Sequence, residues 1–201
     1  EAHSLFPKFV FKKNIGVDND LINFCNNQEY VRMESNNGDF SNDFQILKKT
    51  PNNLEKMLLR KVRIFLDKGL NLNLHKHWPE ITCSWIVRHG KNDFAHNHWH
   101  ENSHFSCVYY IQQEENGHIW FENDAKSNVT FPGFKFDYRD DNSFNCNNYK
   151  LNVKSGDLIL FPSHMLHNVE KNLKDTYRYS LAFNVFMKGS FGKEEYKLEI
   201  R

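Results

Sequence analysis

The chain has 201 residues, 39% of them hydrophobic and 18 of them Phe, enough for one domain with an aromatic-rich core. Lys+Arg 26 against Asp+Glu 25 leaves a formal net charge of +1, so nucleic acid is not expected as the main partner. No apolar run approaches the roughly 20 residues of a membrane span, and the N-terminus reads as carrying no signal peptide.

Residues 5–12 read as a short strand with Pro7 at its start or on an edge. Asp18 is placed to cap a helix with Leu21, Ile22, Cys25 and Tyr30 on one face. The polar stretch 34–44 contains Asn37-Gly38 and reads as a loop. The clearest helix has Thr50 as N-cap, Pro51 at its first position and Gly69 just past its end. Leu54, Met57, Leu58, Val62, Phe65 and Leu66 fall at helical spacing between them and read as core. After residue 80 the pattern shifts to period two. Expected strands are 80–88, 104–112, 117–122, 134–138, 148–153, 157–161 and 176–187, with turn signals at His89-Gly90, Asn116-Gly117, Pro132-Gly133 and Ser155-Gly156-Asp157.

Helices first and many short strands after predict a mainly β fold with N-terminal helices and a jelly-roll core. The expected organisation is a single domain over 1–201: a strand and supporting helices over 1–79, the jelly-roll over 80–187, and a tail over 188–201 that is loose or ends in an edge strand. Residues 123–147, rich in Asn, Asp and Phe, are a candidate lid. The cysteines, Cys25, Cys83, Cys107 and Cys146, form no CxxC and read as reduced thiols of a cytoplasmic protein.

Three stretches carry chemistry. Four of the eleven histidines lie between 96 and 104, just before the run Phe105-Ser106-Cys107-Val108-Tyr109-Tyr110. In His98-Trp99-His100 the two imidazoles stand at i and i+2, which on an extended segment point the same way. His167 follows the strand-like Gly156-Asp157-Leu158-Ile159-Leu160-Phe161-Pro162, far enough on to return on a neighbouring strand. Three imidazoles on one face suit a divalent iron whose other positions stay open for cosubstrate and oxygen. Arg178 opens an alternating strand with Ser180 on its face, and a guanidinium there suits a dicarboxylate through a bidentate fork.

Trp99 and Trp120 either line a cleft or, as Trp more often does, belong to the core. His75-Lys76-His77 has no third ligand at a comparable strand and reads as a polar loop. Glu122 and Asp124 read as a solvated rim. No phosphate-binding glycine pattern and no Ser-His-Asp or Cys-His arrangement is present.

The segment His98-Trp99-His100-Glu101-Asn102-Ser103 with Phe105-Ser106-Cys107-Val108-Tyr109-Tyr110 resembles the H-x-H-x-N-S…S-G-V-Y-Y signature of a family of 2-oxoglutarate/Fe(II) oxygenases of bacteria and tailed phages. Gly156–Ser163 with His167-Asn168-Val169 resembles the family's second block, and Arg178-Tyr179-Ser180-Leu181-Ala182-Phe183-Asn184 its third. The likeness covers roughly residues 82–187; Leu5-Phe6-Pro7 resembles the family's start more weakly.

That family is similar in turn to the prolyl-hydroxylase branch of its superfamily. The resemblance implies a double-stranded β-helix (jelly-roll, cupin-like), with Fe(II) on His98, His100 and His167. It further implies 2-oxoglutarate as cosubstrate on Arg178, Tyr110 and Ser180. O2 would be the co-reactant, and oxidative decarboxylation to succinate would be coupled to substrate hydroxylation. His100 stands where that branch has an Asp, so Asp93, Glu101 or a water is an alternative third ligand. Cys107 replaces a Gly of the signature and should face away from the site. The substrate is left open, from a small molecule to a protein side chain or a base, and the compartment is the cytoplasm, the host's if a phage encodes the chain. The alternative is a cupin-like metal-binding jelly-roll without redox turnover.

Overall fold

The computed structural model describes residues 3, 7–113, 117–123, 137–140, 142 and 144–201. Strands β1 (Phe11–Asn14), β2 (Tyr30–Met33), β3 (Gly38–Ser41), β4 (His77–His89), β6 (Phe105–Gln112), β9 (Asp157–Pro162), β11 (Arg178–Phe191) and β12 (Leu198–Ile200) form one sheet, in the order β1-β9-β6-β11-β4-β3-β2 with β12 also on β11. Strands β5 (Ala95–His98), β10 (His167–Val169), β7 (Ile119–Glu122) and β8 (Asn148–Leu151) form the second, in the order β5-β10-β7-β8. Neighbouring strands run antiparallel. Two helices, α1 (Asn19–Asn26) and α2 (Leu54–Ile64), supply part of the core on the large sheet's outer face.

Alternation along the central strands builds two cores from one sheet. Cys107, Tyr109 and Ile111 of β6, Leu158 and Leu160 of β9, and Tyr179, Leu181, Phe183 and Val185 of β11 meet Leu21, Cys25, Leu58, Val62 and Leu66 from the helical layer. The intervening residues Tyr110, Ile159 and Phe161 meet Ile119 and Phe121 of the small sheet, with Met165. This is the expected double-stranded β-helix with buttressing helices.

The boundaries differ from expectation for local reasons. The first strand begins only at Phe11, and Leu5 and Phe6 lie outside the described residues. Asp18 does cap α1, accepting from Asp20 N at 3.0 Å, but Tyr30 belongs to β2 and donates its hydroxyl to Cys25 O at 2.7 Å. The stretch 34–44 is not all loop: a 3-10 turn and Asn37, left-handed at φ 36°, connect β2 to β3 in a hairpin at the sheet edge. Thr50 does not cap α2, because its Oγ1 donates back to Leu47 O at 2.7 Å. Asn52 and Asn53, left-handed at φ 57° and 54°, turn the chain first, and Asn53 becomes the cap position. Met57 faces solvent at 36% exposure, while Leu58, Val62 and Leu66 are 0% exposed. Gly69 lies in a closing π turn, not at a left-handed stop; a Cβ there would lie 2.2 Å from Phe11 Cζ, so the position needs a glycine for close approach.

Strands β5 and β10 were not expected, being short and polar. β4 starts three residues early, at His77, and β11 runs on to Phe191. Expected strand 134–138 falls mostly outside the described residues, and its described end is not strand. The proposed lid, 123–147, likewise lies mostly outside them. The tail takes its edge-strand alternative as β12. Among the described residues no helix is long and apolar enough to cross a membrane.

Leu58→Ala empties a fully buried position between α2 and the sheet and should destabilise by about 2–5 kcal/mol. Met57→Ala, one residue away on the solvent side, should change stability by about 0.5 kcal/mol or less. Chemical denaturation of both variants measures the contrast.

Candidate metal centre

The faces of β4, β6 and β11 that turn from the helices line a cavity of about 280 Å³. β4 contributes Trp85, Val87 and His89, β6 contributes Val108 and Tyr110, and β11 contributes Arg178, Ser180, Ala182 and Asn184. The small sheet adds Ala95, His98, His167 and Val169. Pairing of β5 with β10 sets His98 directly opposite His167. His100, just beyond β5, is held by its backbone N–H donating to Ser163 O at 2.9 Å and lies against Trp85, with ring centroids 5.5 Å apart.

One ligand atom from each of His98, His100 and His167 lies within 4.8 Å of the other two. The Nδ1 contacts are His98 to His96 O (2.7 Å), His100 to Asn184 Oδ1 (2.8 Å) and His167 to Met165 O (2.8 Å). Each partner is a carbonyl oxygen, which only accepts, so each Nδ1 carries the proton and each Nε2 keeps its lone pair. Burial lowers all three pKa values: His98 below its ordinary value, His100 to about 4, and His167 well below, with the neighbouring imidazoles adding to the drop at His100 and His167. Near neutral pH the three rings are therefore uncharged, as a metal requires of them.

Further along the cavity Arg178 is 4% exposed. Its Nη1 donates to Glu170 O at 3.1 Å and its Nη2 to His89 Nδ1 at 2.8 Å. Burial, then the charge of Arg178, push His89 down to about 3, so it stays a neutral acceptor. Burial lowers Arg178 itself to about 10, still a cation at neutral pH. Gly117, at φ +88°, leaves room for the guanidinium; a Cβ there would lie 1.5 Å from Nη1. No carboxylate forms an ion pair with Arg178 among the described residues. The buried Tyr110 hydroxyl has no hydrogen-bond partner among the described residues, and Tyr110 pairs in register with Ser180.

A family described as "Putative 2OG-Fe(II) oxygenase" matches residues 83–184, just over half the chain. The chain belongs to this family. No curated protein matches it by sequence. Similar solved structures include the epimerase SnoN from nogalamycin biosynthesis, described as non-heme and alpha-ketoglutarate-dependent (10% identity, TM-score 0.60, 90% of this chain and 81% of that one). A Pseudomonas putida prolyl-4-hydroxylase (12%, 0.54, 89% and 92%) and the viral collagen prolyl hydroxylase of Paramecium Bursaria Chlorella virus-1 (12%, 0.53, 89% and 96%) are also similar. At these identities the structures speak to the fold.

As a 2OG-Fe(II) oxygenase the chain is an enzyme whose metal and cosubstrate are Fe(II) and 2-oxoglutarate, which decides between the two expected readings. The donor set present in this oxygenase fits a divalent iron. Of the alternative third ligands, Asp93 is engaged elsewhere, accepting from Arg32 at 2.9 and 2.8 Å and from Gly90 N at 2.9 Å. Glu101 lines the cavity without joining the histidine group. Cys107 faces the helical core, as expected, and burial pushes its thiol pKa well up.

Trp99 is not core: it is 57% exposed on the cavity wall. Trp120 is half-buried and donates to Glu170 Oε1 at 2.7 Å. Glu122 accepts from Asn97 in an exposed contact, and Asp124 lies outside the described residues. His77 is not in a loop but starts β4 against Phe191; no second group of three His, Cys, Asp or Glu ligands occurs among the described residues. Sequence reasoning missed His89 and the use of Asn184. Both could have been found by extending the alternation of β4 past Val87 and of β11 past Ala182.

His89 sets a pH dependence. The unfolded chain takes up a proton near pH 6.5, while the folded chain keeps this imidazole neutral down to about 3. Stability should therefore fall as pH drops below about 6.5, by up to about 1.4 kcal/mol per pH unit for this one proton. In His89→Gln, which retains an acceptor for Arg178, denaturation between pH 7 and 5 should show a correspondingly shallower slope.

Proposed function

We propose that His98, His100 and His167 hold Fe(II) through their Nε2 atoms and that Arg178, Tyr110 and Ser180 hold the distal carboxylate of 2-oxoglutarate. The observation that carries this reading is the buried Arg178 cation, with no carboxylate partner among the described residues, next to an unpartnered buried Tyr110 hydroxyl in the cavity the histidines line. A buried charge is strongly unfavourable unless paired, and an anion placed there accepts from both groups. Three neutral imidazoles bring no negative charge to a dication, so the dianionic cosubstrate supplies it. Bound iron supplies O2 activation, coupling decarboxylation of 2-oxoglutarate to succinate with oxidation of the substrate.

The chain's own residues do the positioning. His89 and Glu170 O fix the guanidinium so that little order is lost when the carboxylate arrives. Val87, Val108, Val169 and Ala182 form the apolar wall beside it and keep water from competing for the fork. Phe40, Trp85, Trp99 and Glu101 line what remains of the cavity, and this is the side left to the substrate. The outcome assigned to the reaction is hydroxylation of a small molecule or a protein side chain. The four cysteines, none in a disulfide among the described residues, suit a reducing, cytoplasmic setting.

Anaerobic addition of Fe(II) and then 2-oxoglutarate to the metal-free protein should produce the weak visible metal-to-ligand charge-transfer band of the chelate. His167→Ala should abolish it by losing iron. Arg178→Ala should retain iron but need at least about 30-fold more 2-oxoglutarate, from the 2 kcal/mol or more that follows removal of one partner of a buried charge pair. Iron binding without a band in the wild type would overturn the cosubstrate assignment.

A further inference from the structure

The three Nδ1–H groups are not held alike. His98 and His167 donate to backbone carbonyls two residues earlier, His96 O and Met165 O. These acceptors are main-chain carbonyl oxygens close in sequence and cannot reverse. His100 instead relies on a side chain distant in sequence, the amide of Asn184 on β11.

An amide has two different ends. With Oδ1 toward His100, the ring donates from Nδ1 and presents a lone pair at Nε2. With Nδ2 toward His100, Nδ1 must accept, the proton sits on Nε2, and the ring has no electron pair for a metal. The structure has the first arrangement, with Ser106 Oγ donating to the same Oδ1 at 3.1 Å. Ser163 Oγ lies 2.9 Å from both Ser106 Oγ and Ser103 Oγ. Ser163 also accepts the His100 backbone N–H through its carbonyl. One buried polar chain thus grips His100 at its backbone and at its ring.

We propose that Asn184 is the positioning residue that makes His100 a metal ligand, by fixing its tautomer and ring orientation from β11. The proposal rests on the three-histidine metal centre. It adds that the third donor is conditional on a side chain outside the histidine group itself.

Co(II) alone, titrated into the metal-free full chain and followed by calorimetry and by its visible ligand-field spectrum, tests this. Asn184→Leu removes the acceptor and should weaken Co(II) binding by about 10–100-fold, with a spectrum that approaches that of His100→Ala. Asn184→Asp keeps an acceptor and should bind Co(II) at least as tightly as wild type. In the His100→Ala background, adding Asn184→Leu should change the remaining affinity by no more than about twofold, because the two residues act as one unit. Wild-type affinity and spectrum in Asn184→Leu would overturn the proposal. So would a loss in folded Asn184→Asp as large as in Asn184→Leu, or a second full loss on the His100→Ala background, since either means the residue acts through the fold. Should Asn184→Leu fail to fold, the Asp variant decides alone. Absence of Co(II) binding by the wild type would bring down the metal centre itself, a result distinct from binding that ignores residue 184.

Discussion

The register of β11 between β4 and β6 is the constraint on which the rest depends. Arg178 pairs with His89, Ser180 with both Val87 and Tyr110, Ala182 with Trp85 and Val108, and Asn184 with Cys83 and Ser106. Because side chains alternate, a slip of one residue would turn Arg178, Ser180 and Asn184 toward the helices and bring Tyr179, Leu181 and Phe183 into the cavity. That slip is opposed by the whole apolar layer beneath: Leu181, Phe183 and Val185 are 0% exposed against the core that α1 and α2 complete. The helical layer therefore holds the site without touching it. Its contribution is to make one face of β11 apolar enough that the other face can be polar and still be buried.

Electrostatics follow from that burial. The cavity contains an arginine and four imidazoles, and desolvation keeps the imidazoles neutral while the arginine remains a cation. His89 is central to this division, because a protonated ring could not accept from Arg178. The neutral ring anchors the guanidinium while adding no positive charge to a site proposed to take an anion. A carboxylate in its place would anchor Arg178 more strongly and cancel the charge on which the proposed 2-oxoglutarate site rests.

Much of this was legible in the chain. The H-x-H at 98–100, the apolar strand before His167 and the alternation from Arg178 each carry a local signal that burial then enforces. The stretches that misled are those where local chemistry is ambiguous. Thr50 looks like a cap, but its hydroxyl finds Leu47 O, and two left-handed asparagines take over the turn. Met57 is spaced like core yet sits at the margin of the apolar stripe. β5 and β10 are short and polar because they carry the histidines, so the residues that make the site conceal the strands that present them. His89 lacked any motif, and its role exists only once β4 and β11 are paired.

The same pairing explains why the cavity ends where it does. β6 carries an extra residue, Ile111, opposite the step from Tyr179 to Ser180 of β11, and β4 carries one, Thr82, opposite the step from Asn184 to Val185. Bulges bend a strand and re-aim its side chains. The first irregularity falls beside Arg178, which has no carboxylate partner among the described residues. The second follows Asn184 directly: β11 skips Thr82, whose hydroxyl donates to Asn184 O at 3.4 Å. Between these two breaks lie Ser180, Ala182 and Asn184 at even spacing, with Arg178 just outside, and these four carry the strand's whole contribution to the cavity. Across both points β11 keeps its own pleat, with Val185 and Met187 still in the helical core; the strands whose alternation changes are β4 and β6, which carry the extra residues. The two irregularities bound a segment whose polar groups sit at its ends and whose middle, Ala182, is small enough to leave space between the cation proposed to hold the cosubstrate and the amide that meets His100.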